Sequence, residues 1–358
     1  MEATDEQAIA ILEGLVRIAS PSCDEAAAAR YCVEAMAALG LRADIDPAGS
    51  PVGRIGAGPR RILLLGHIDT VAGQIPVRQE HGCLYGRGSV DAKGPLATFI
   101  AAAARVGVLP GWEITVVGAV EEECATSAGA YHVVATYPVA DYVIIGEPSG
   151  WQRVTLGYKG RLLVDYVLER PMSHTAGEAR GACEEAVDYW LAVRAWAERY
   201  TAQAAERGQT GRFATLDPSL RAINSSSDGL TERVELGLGL RLPLELDLAT
   251  LEAALREAAG AAAIHTRAHE LPFRAEKRGP LPAAFLAAIR AQGGEPAFLT
   301  KTGTSDMNVI GPAWGKPIIA YGPGDSALDH TPDEHIVLDE YLAAIRVLEG
   351  ALRRLAAV

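Results

Sequence analysis

The stretch LLLGHIDTVAG at residues 63–73 runs three leucines and a glycine into His67, with Asp69 two positions further on. An imidazole and a carboxylate at that spacing can share a divalent cation or pass a proton. Acidic and imidazole groups recur in GRGSVDAKG (Asp91), EEECATSAGA (Glu121, Glu122, Glu123), GEPS (Glu147) and DHTPDEHI (His330). Each alone is a weak signal. A single histidine after a strand is more often a satisfied surface or core residue, three glutamates are usually a solvated face, and GEPS is an ordinary turn. Their weight comes from where they fall, because RILLLGH, EITVVGAV and DYVIIGE are short continuous apolar runs of the kind buried on both faces of a mainly parallel sheet. In such sheets ligands gather beyond the carboxyl ends of the strands. If these ends converge, Asp69, Asp91, the three glutamates and Glu147 crowd one rim, where they cannot all stay ionised without cations. A pair of divalent metals resolves the repulsion. His132, His265 and His269 lack such company, and His81 and His335 read as structural neighbours of the motifs.

The elements that must position these groups follow from the apolar period. Residues 5–18 and 24–39 repeat at helical spacing, and SPSCDEA between them offers Ser and Asp as N-caps for the second helix. The Ala-rich segment 95–107 suits a crossover helix between the first two apolar runs. From Lys159 the texture changes: RLLVDYVLER reads as a strand, 178–206 as a long helix, RVELGLGLRLPLEL as alternating strand, 248–260 as helix and AIHTRAHELPF as a closing strand. This βαββαβ-like order belongs to a compact α+β unit. After about residue 277 the earlier pattern returns, with KPIIAYGPG a buried-type strand and 339–356 an amphipathic helix. A second domain inserted into an α/β first domain is expected.

Composition narrows the function classes. A chain of 358 residues with 49% hydrophobic and 22% charged residues can bury a sizeable core, and its length favours two domains. Five cysteines, widely spaced and without a CxxC pair, suggest neither a disulfide framework nor a thiolate zinc cluster. The acidic, amphipathic beginning and the lack of a long apolar run predict a cytoplasmic protein. A formal charge of −12 argues against nucleic acid and against anionic membranes, both of which need local Lys and Arg excess. A small molecule or another protein is the expected partner.

Taken in order, GHIDTV, GRGSVDAKG, EEECATSAGA, GEPS, SHTAG, TGTSDMN and DHTPDEHI resemble the M20 family of dinuclear zinc aminoacylases and carboxypeptidases, over nearly the whole chain. The resemblance implies a zinc-dependent exopeptidase-type α/β/α catalytic domain over 1–157 and 274–358. It also implies an inserted ferredoxin-like α+β dimerisation and lid domain over 158–273. It assigns two Zn2+ per subunit, with Co2+ a substitute: His67, Asp91 and Glu147 hold one, while Asp91, Glu123 and His330 hold the other. Asp69 would accept the His67 N–H and fix its tautomer. Glu122 would take a proton from water activated by the cations and return it to the leaving amine. The register within Glu121, Glu122 and Glu123 admits a shift by one. The peptide after Asp91 is often cis in the family. His174 would steady the tetrahedral oxyanion, reaching across a homodimer joined through the insert. Asn224 and Arg241 match positions that touch substrate or dimer interface in relatives, and the backbone N–H groups of the loop Lys301, Thr302, Gly303 and Thr304 could hold a carboxylate.

Within the family, KTGTSDMN resembles most the hydrolases that release lysine from a small acidic amino-group carrier protein. The bond would join the γ-carboxyl of the carrier's C-terminal glutamate to the α-amine of lysine, or of ornithine in some relatives, serving lysine and arginine biosynthesis. Because carrier and chain are both acidic, docking would use a local patch such as Arg153, Arg161 and Arg180. Two competing readings remain open at this point. One is a deacetylase of free N-acetyl-lysine or N-acetyl-ornithine. The other is a non-catalytic metal-binding module, disfavoured because a structural metal site has no use for a base such as Glu122.

Overall fold

The computed structural model describes residues 3–172, 174 and 180–357. The chain divides into two compact units. One comprises Met1–Gly157, Arg274–Thr300 and Ser305–Val358, the other Tyr158–Phe273 with Lys301–Thr304.

In the first unit the strands Trp112–Ala119, Arg60–His67, Tyr142–Gly146 and Ile318–Ala320 lie side by side and parallel. Antiparallel strands flank them: Pro51–Gly56 and then Arg42–Ile45 on one side, Arg153–Tyr158 on the other. The continuous apolar runs follow from burial on both faces. Ile62, Leu64, Tyr142 and Ile144 join the large core beneath the helices Asp5–Val16, Ala26–Ala38, Lys93–Val106, Pro280–Ala291 and Leu338–Ala356. Their alternates Leu63, Leu65, Val143 and Ile145 are equally buried on the opposite face, where the helices Ala128–Thr136 and Met307–Trp314 pack together. The crossover helix Lys93–Val106 is alanine-rich because almost every one of its residues is buried, leaving room only for small side chains.

The first helix opens on Thr4 with a reciprocal capping box to Gln7. The second departs from expectation. Its N-cap is Glu25, and neither Ser nor Asp of SPSCDEA caps it with a side chain. The Ser20 and Ser22 hydroxyls are turned toward the end of the strand Arg60–His67 instead, donating to the Ile68 carbonyl and the Asp69 carboxylate (both 2.7 Å).

The second unit is a four-stranded antiparallel sheet, in the order Asp217–Ser227, Thr231–Leu242, Gly160–Pro171, Ala263–Glu270. The helices Ala182–Glu206 and Leu248–Ala259 bury Tyr189, Val193, Leu251 and Leu255 against Val164, Tyr166, Leu236 and Leu238. Lys301–Thr304 belongs to this unit and not to the first: the Lys159 amide donates to the Lys301 carbonyl (3.2 Å), and Arg241 Nη1 to Thr304 Oγ1 (3.1 Å). Among the described residues no helix is long and apolar enough to cross a membrane.

Candidate metal centre

Four connections leave the same edge of the parallel strands, the first of them carrying both His67 and Asp91. His67 is the last residue of Arg60–His67, and Asp91 precedes the helix Lys93–Val106. The three glutamates follow Trp112–Ala119, Glu147 follows Tyr142–Gly146, and His330 lies in the loop after Ile318–Ala320. Parallel pairing puts these carboxyl ends in one row, so groups up to 263 positions apart in sequence can meet.

They do meet. His67 Nε2 stands 3.2 Å from Asp91 Oδ1, and His330 Nε2 stands 3.1 Å from Asp91 Oδ2 and 2.8 Å from Glu123 Oε1. Donor atoms of His67, Asp91 and Glu123 all fall within 4.8 Å of one another. Asp91 thus spends its two oxygens on two different imidazoles, which suits a carboxylate shared by two cations. Glu122 Oε2 is 4.0 Å from His67 Nε2. Glu147 is buried, and its charge acts on Glu122. His330 is the half-exposed member and holds a left-handed backbone at φ 61°. A strained non-glycine conformation at such a point is retained only where its surroundings enforce it. The Asp91–Ala92 peptide is cis.

The titration behaviour follows from this crowding. Burial alone would lower the His67 pKa, but hydrogen bonds to Asp69 and Asp91 override it and raise it well above the usual imidazole value. His330 is raised to about 10 by hydrogen bonds to Asp91 and Glu123. Asp91 is held low because its bonds to His330 and His67 outweigh its burial. Glu122 moves the other way. Burial drives its pKa well up, His67 opposes this, and the charges of Glu147, Asp306 and Glu123 add to it. One buried carboxyl that prefers a proton therefore sits beside one that refuses it, a division of labour suited to acid–base work.

Asp69 does more than orient a ring. His67 Nδ1 donates to the Asp69 backbone carbonyl at 2.9 Å, with the carboxylate Oδ1 more distant at 3.4 Å. The backbone carbonyl is the nearer partner of the ring N–H, and the carboxylate expected from the sequence faces the same nitrogen from further away. The carboxylate itself accepts from the Glu122 amide (Oδ1, 3.1 Å), the Glu123 amide (Oδ2, 2.9 Å) and the Ser22 hydroxyl (Oδ2, 2.7 Å). It fixes the loop that carries the two glutamates. Glu121 takes a left-handed backbone (φ 61°), which turns the chain just past the strand and breaks the alternation that would send Glu122 and Glu123 to opposite sides.

Sequence reasoning missed three groups. Glu334, wholly buried, accepts from the Val90 and Asp91 amides (3.0 and 3.1 Å) and from Arg87 Nη1 (2.8 Å), so it holds the bridging aspartate's backbone. Asp306, in TGTSDMN, is buried with Oδ1 unbonded, and burial raises its pKa to about 7. Ser22 is the third. The signal for each was an acidic or hydroxyl residue inside a motif already noticed for another member.

The remaining candidates lie on the second unit. Asn224 is exposed on the strand Asp217–Ser227, and Arg241 sits on the neighbouring strand. Lys301, Thr302, Gly303 and Thr304 form the loop that Arg241 touches. His174 is exposed, whereas Ser173 and residues 175–179 of SHTAG and its continuation lie outside the described residues. Of the expected docking arginines, Arg161 is engaged by both oxygens of Glu270 (2.8 and 2.9 Å), Arg180 pairs with Asp188 (2.5 Å), and Arg153 donates to the Glu295 carbonyl (2.9 Å). Arg161 in particular is mostly buried and satisfied inside its own unit.

Comparison with known proteins gives one family and one fold. Residues 63–354 match the family model described as Peptidase family M20/M25/M40. The chain is 46% identical over 350 residues to a Deinococcus radiodurans protein named LysW-lysine hydrolase, covering 96% of each. It is 38% identical to a Thermococcus kodakarensis protein provisionally named LysW-lysine/LysW-ornithine hydrolase, covering 98% of this chain and 93% of the other. Its fold matches a crystal structure of an M20 family metallo-carboxypeptidase from Sulfolobus solfataricus, with TM-score 0.80, 19% identity and coverage of 98% and 99%.

Proposed function

We propose, from the premise that the chain belongs to peptidase family M20/M25/M40, that this amide-bond hydrolase releases lysine, and with it ornithine, from the carrier LysW. The observation that carries the substrate is the 46% identity to a LysW-lysine hydrolase across 96% of both chains. The scissile bond is the amide between the γ-carboxyl of the carrier's C-terminal glutamate and the α-amine of the amino acid.

His67, Asp91 and Glu147 would hold one cation and Asp91, Glu123 and His330 the other. The nitrogen and oxygen donor set suits Zn2+, with Co2+ as substitute. Two such ions, when bound, supply Lewis acidity for the amide carbonyl and for the attacking water. The chain's own residues do the rest. Asp69 pins the Glu122 and Glu123 amides, so that the Glu122 carboxylate is presented to water, takes its proton and hands it to the leaving amine. His174, from the insert of a second copy, would donate to the oxyanion. The exposed edge strand Asp217–Ser227, with Ile223 more than half exposed, supports pairing of two inserts in a homodimer. Arg241, Lys301, Thr302, Gly303 and Thr304 would hold the substrate's carboxylate, with Asn224 at the dimer face.

The test offers the purified enzyme LysW-linked lysine, LysW-linked ornithine, N-acetyl-lysine and N-acetyl-ornithine, and identifies the amino acid set free. Carrier-linked substrates should be preferred by orders of magnitude, and preference for the acetylated amino acids rejects the reading. Glu122→Gln should lower the rate by about 100- to 10,000-fold while metal content stays unchanged. Loss of metal instead would exchange the roles of Glu122 and Glu123.

A further inference from the structure

Two cysteines outside the proposed reaction flank the loop that performs it. Cys23 lies in the segment between the first two helices, and Cys124 directly follows Glu123. Their Sγ atoms lie within 4.8 Å of each other and of a Glu121 carboxylate oxygen. Cys23 is exposed and Cys124 is partly so, whereas Cys32 is buried. The two segments are also laced together through backbone. Glu25 Oε1 accepts from the Cys23 amide (2.9 Å) and the Glu121 amide (3.1 Å), and Asp69 Oδ2 accepts from the Ser22 hydroxyl and the Glu123 amide. Both segments carry left-handed non-glycine residues, Cys23 itself at φ 73° and Glu121, three residues before Cys124, at φ 61°.

We propose that Cys23 and Cys124 are an oxidative modification site, joining as a reversible disulfide that locks residues 20–25 to residues 121–126 and draws the proposed base and ligand out of position. Glu121 makes only a third donor, one short of the four that a closed thiolate zinc site uses, so the pair is better suited to each other than to a metal. A disulfide needs its sulfurs at about 2.05 Å, a distance that side-chain rotation and a small loop movement can close from here. The co-reactant is a low-molecular-weight disulfide. The exposed Cys23 thiolate attacks one of its sulfurs and expels a thiolate; the Cys124 thiolate then attacks the Cys23 sulfur of the mixed disulfide and expels the second. The protein loses two electrons and two protons, and the oxidant leaves as two thiols. Desolvation first, and then the nearby carboxylates of Glu121 and Glu25, disfavour the Cys23 thiolate, so closure is slow and answers sustained oxidation. Because Glu123 adjoins Cys124 and Glu122 is next, a shift of about 1 Å there is enough to cost roughly 100-fold in rate.

The drop in activity rests on the hydrolase reading above; the bond does not. Zinc-loaded full-length enzyme is held with excess oxidised glutathione, quenched with N-ethylmaleimide, and split for peptide mapping, zinc analysis and assay on LysW-linked lysine. The expected result is a Cys23–Cys124 cross-linked peptide, less zinc per chain, and a rate about 100-fold lower that a phosphine reductant restores. Cys23→Ser and Cys124→Ser should keep the reduced enzyme's rate and resist the oxidant. Three results overturn the proposal: both thiols alkylated or separately glutathionylated without a cross-link, a cross-linked enzyme with unchanged rate and zinc, or an additional zinc that shields both thiols. If even the reduced enzyme hydrolyses nothing, the functional reading fails alone, and the peptide map with the zinc content still decides the disulfide.

Discussion

Replacing Asp69 by Asn tests whether its carboxylate, rather than its charge near His67, organises the centre. The side chain is wholly buried and accepts three hydrogen bonds: from the Glu122 amide at 3.1 Å, the Glu123 amide at 2.9 Å and the Ser22 hydroxyl at 2.7 Å. Asparagine keeps the shape but has one accepting oxygen. If its NH2 takes the Oδ1 place it faces the Glu122 N–H, and if it takes the Oδ2 place it faces the Glu123 N–H and the Ser22 O–H. Either way at least one buried amide of the catalytic loop loses its partner. A hydrogen bond to a charged acceptor contributes about 1.5–3 kcal/mol, and an unmet buried donor costs on the same order, so a loss of about 3 kcal/mol is expected. At 1.36 kcal/mol per decade that is roughly 100-fold in kcat/KM. Metal affinity should fall by about 10- to 100-fold as well, because Glu123 is no longer aimed. The His67 ring should stay in place, since its Nδ1 donates to the Asp69 carbonyl, which the substitution leaves intact. Ser22→Ala is the internal control: it removes one hydroxyl from the same oxygen and should cost about 1 kcal/mol, less than tenfold. The assay is steady-state hydrolysis with metal content measured on the same samples. If Asp69→Asn at full metal occupancy loses no more than Ser22→Ala, the carboxylate is not what positions the loop and the reasoning is wrong.

Glu334→Ala should destabilise the protein by about 3 kcal/mol or more, because it leaves the largely buried Arg87 guanidinium without its carboxylate and the Val90 and Asp91 amides unmet. Thermal unfolding of the metal-free protein reads this directly, and an unchanged melting temperature refutes it. Metal binding should release protons at pH 7.5, since His330 is raised to about 10 and His67 well above its usual value before a cation displaces their protons. Calorimetry in two buffers of different ionisation enthalpy should therefore find about one proton or more per chain, and affinity should fall as pH falls. In the metal-free protein the sign reverses. The raised pKa of His330 gives a stabilisation that is complete below pH 6.5 and lost as pH rises toward 10, reduced by the ring's half exposure. A metal-free protein that gains stability over that range contradicts the assignment.

What was legible in the sequence was what burial makes periodic. The parallel strands showed because both faces are covered over residues 62–65 and 142–145, so those runs had to be apolar, and the site groups showed because they stop those runs. The strand Asp217–Ser227 did not show. DPSLRAINSSS is exposed along nearly its whole length, so it has no buried face to impose alternation and takes its conformation from pairing with Thr231–Leu242. The allegiance of residues 301–304 was hidden for a related reason. A short loop in sequence beside one unit is claimed by the other through two hydrogen bonds from distant residues, Lys159 and Arg241, that no local pattern announces.

The misread N-cap at SPSCDEA carries the more general point. Ser22 is a residue that would lend a helix end about 1 kcal/mol by capping it, and Glu25 occupies the N-cap position itself. Here Ser22 donates to the Asp69 carboxylate, and Glu25 accepts from the Cys23 and Glu121 amides, so the helix Ala26–Ala38 begins without a side-chain cap. Charge-assisted hydrogen bonds in a buried setting contribute about twice what neutral ones do, which is why the site outcompetes the cap. Local rules rank these residues by what the nearest backbone can offer, whereas the folded chain ranks them by the strongest unmet group within reach. That group sits 47 residues away for Ser22 and 96 for Glu25. A substitution at the helix end that spares this network should therefore leave the site alone: Asp24→Ala, at an exposed position beside but outside the hydrogen bonds of Ser22 and Glu25, should leave hydrolysis unchanged. By contrast, Glu25→Gln should weaken hydrolysis by roughly tenfold or more, since the Cys23 and Glu121 amides lose a charged acceptor. Equal effects of the two on rate would mean that Glu25 serves the helix and not the loop.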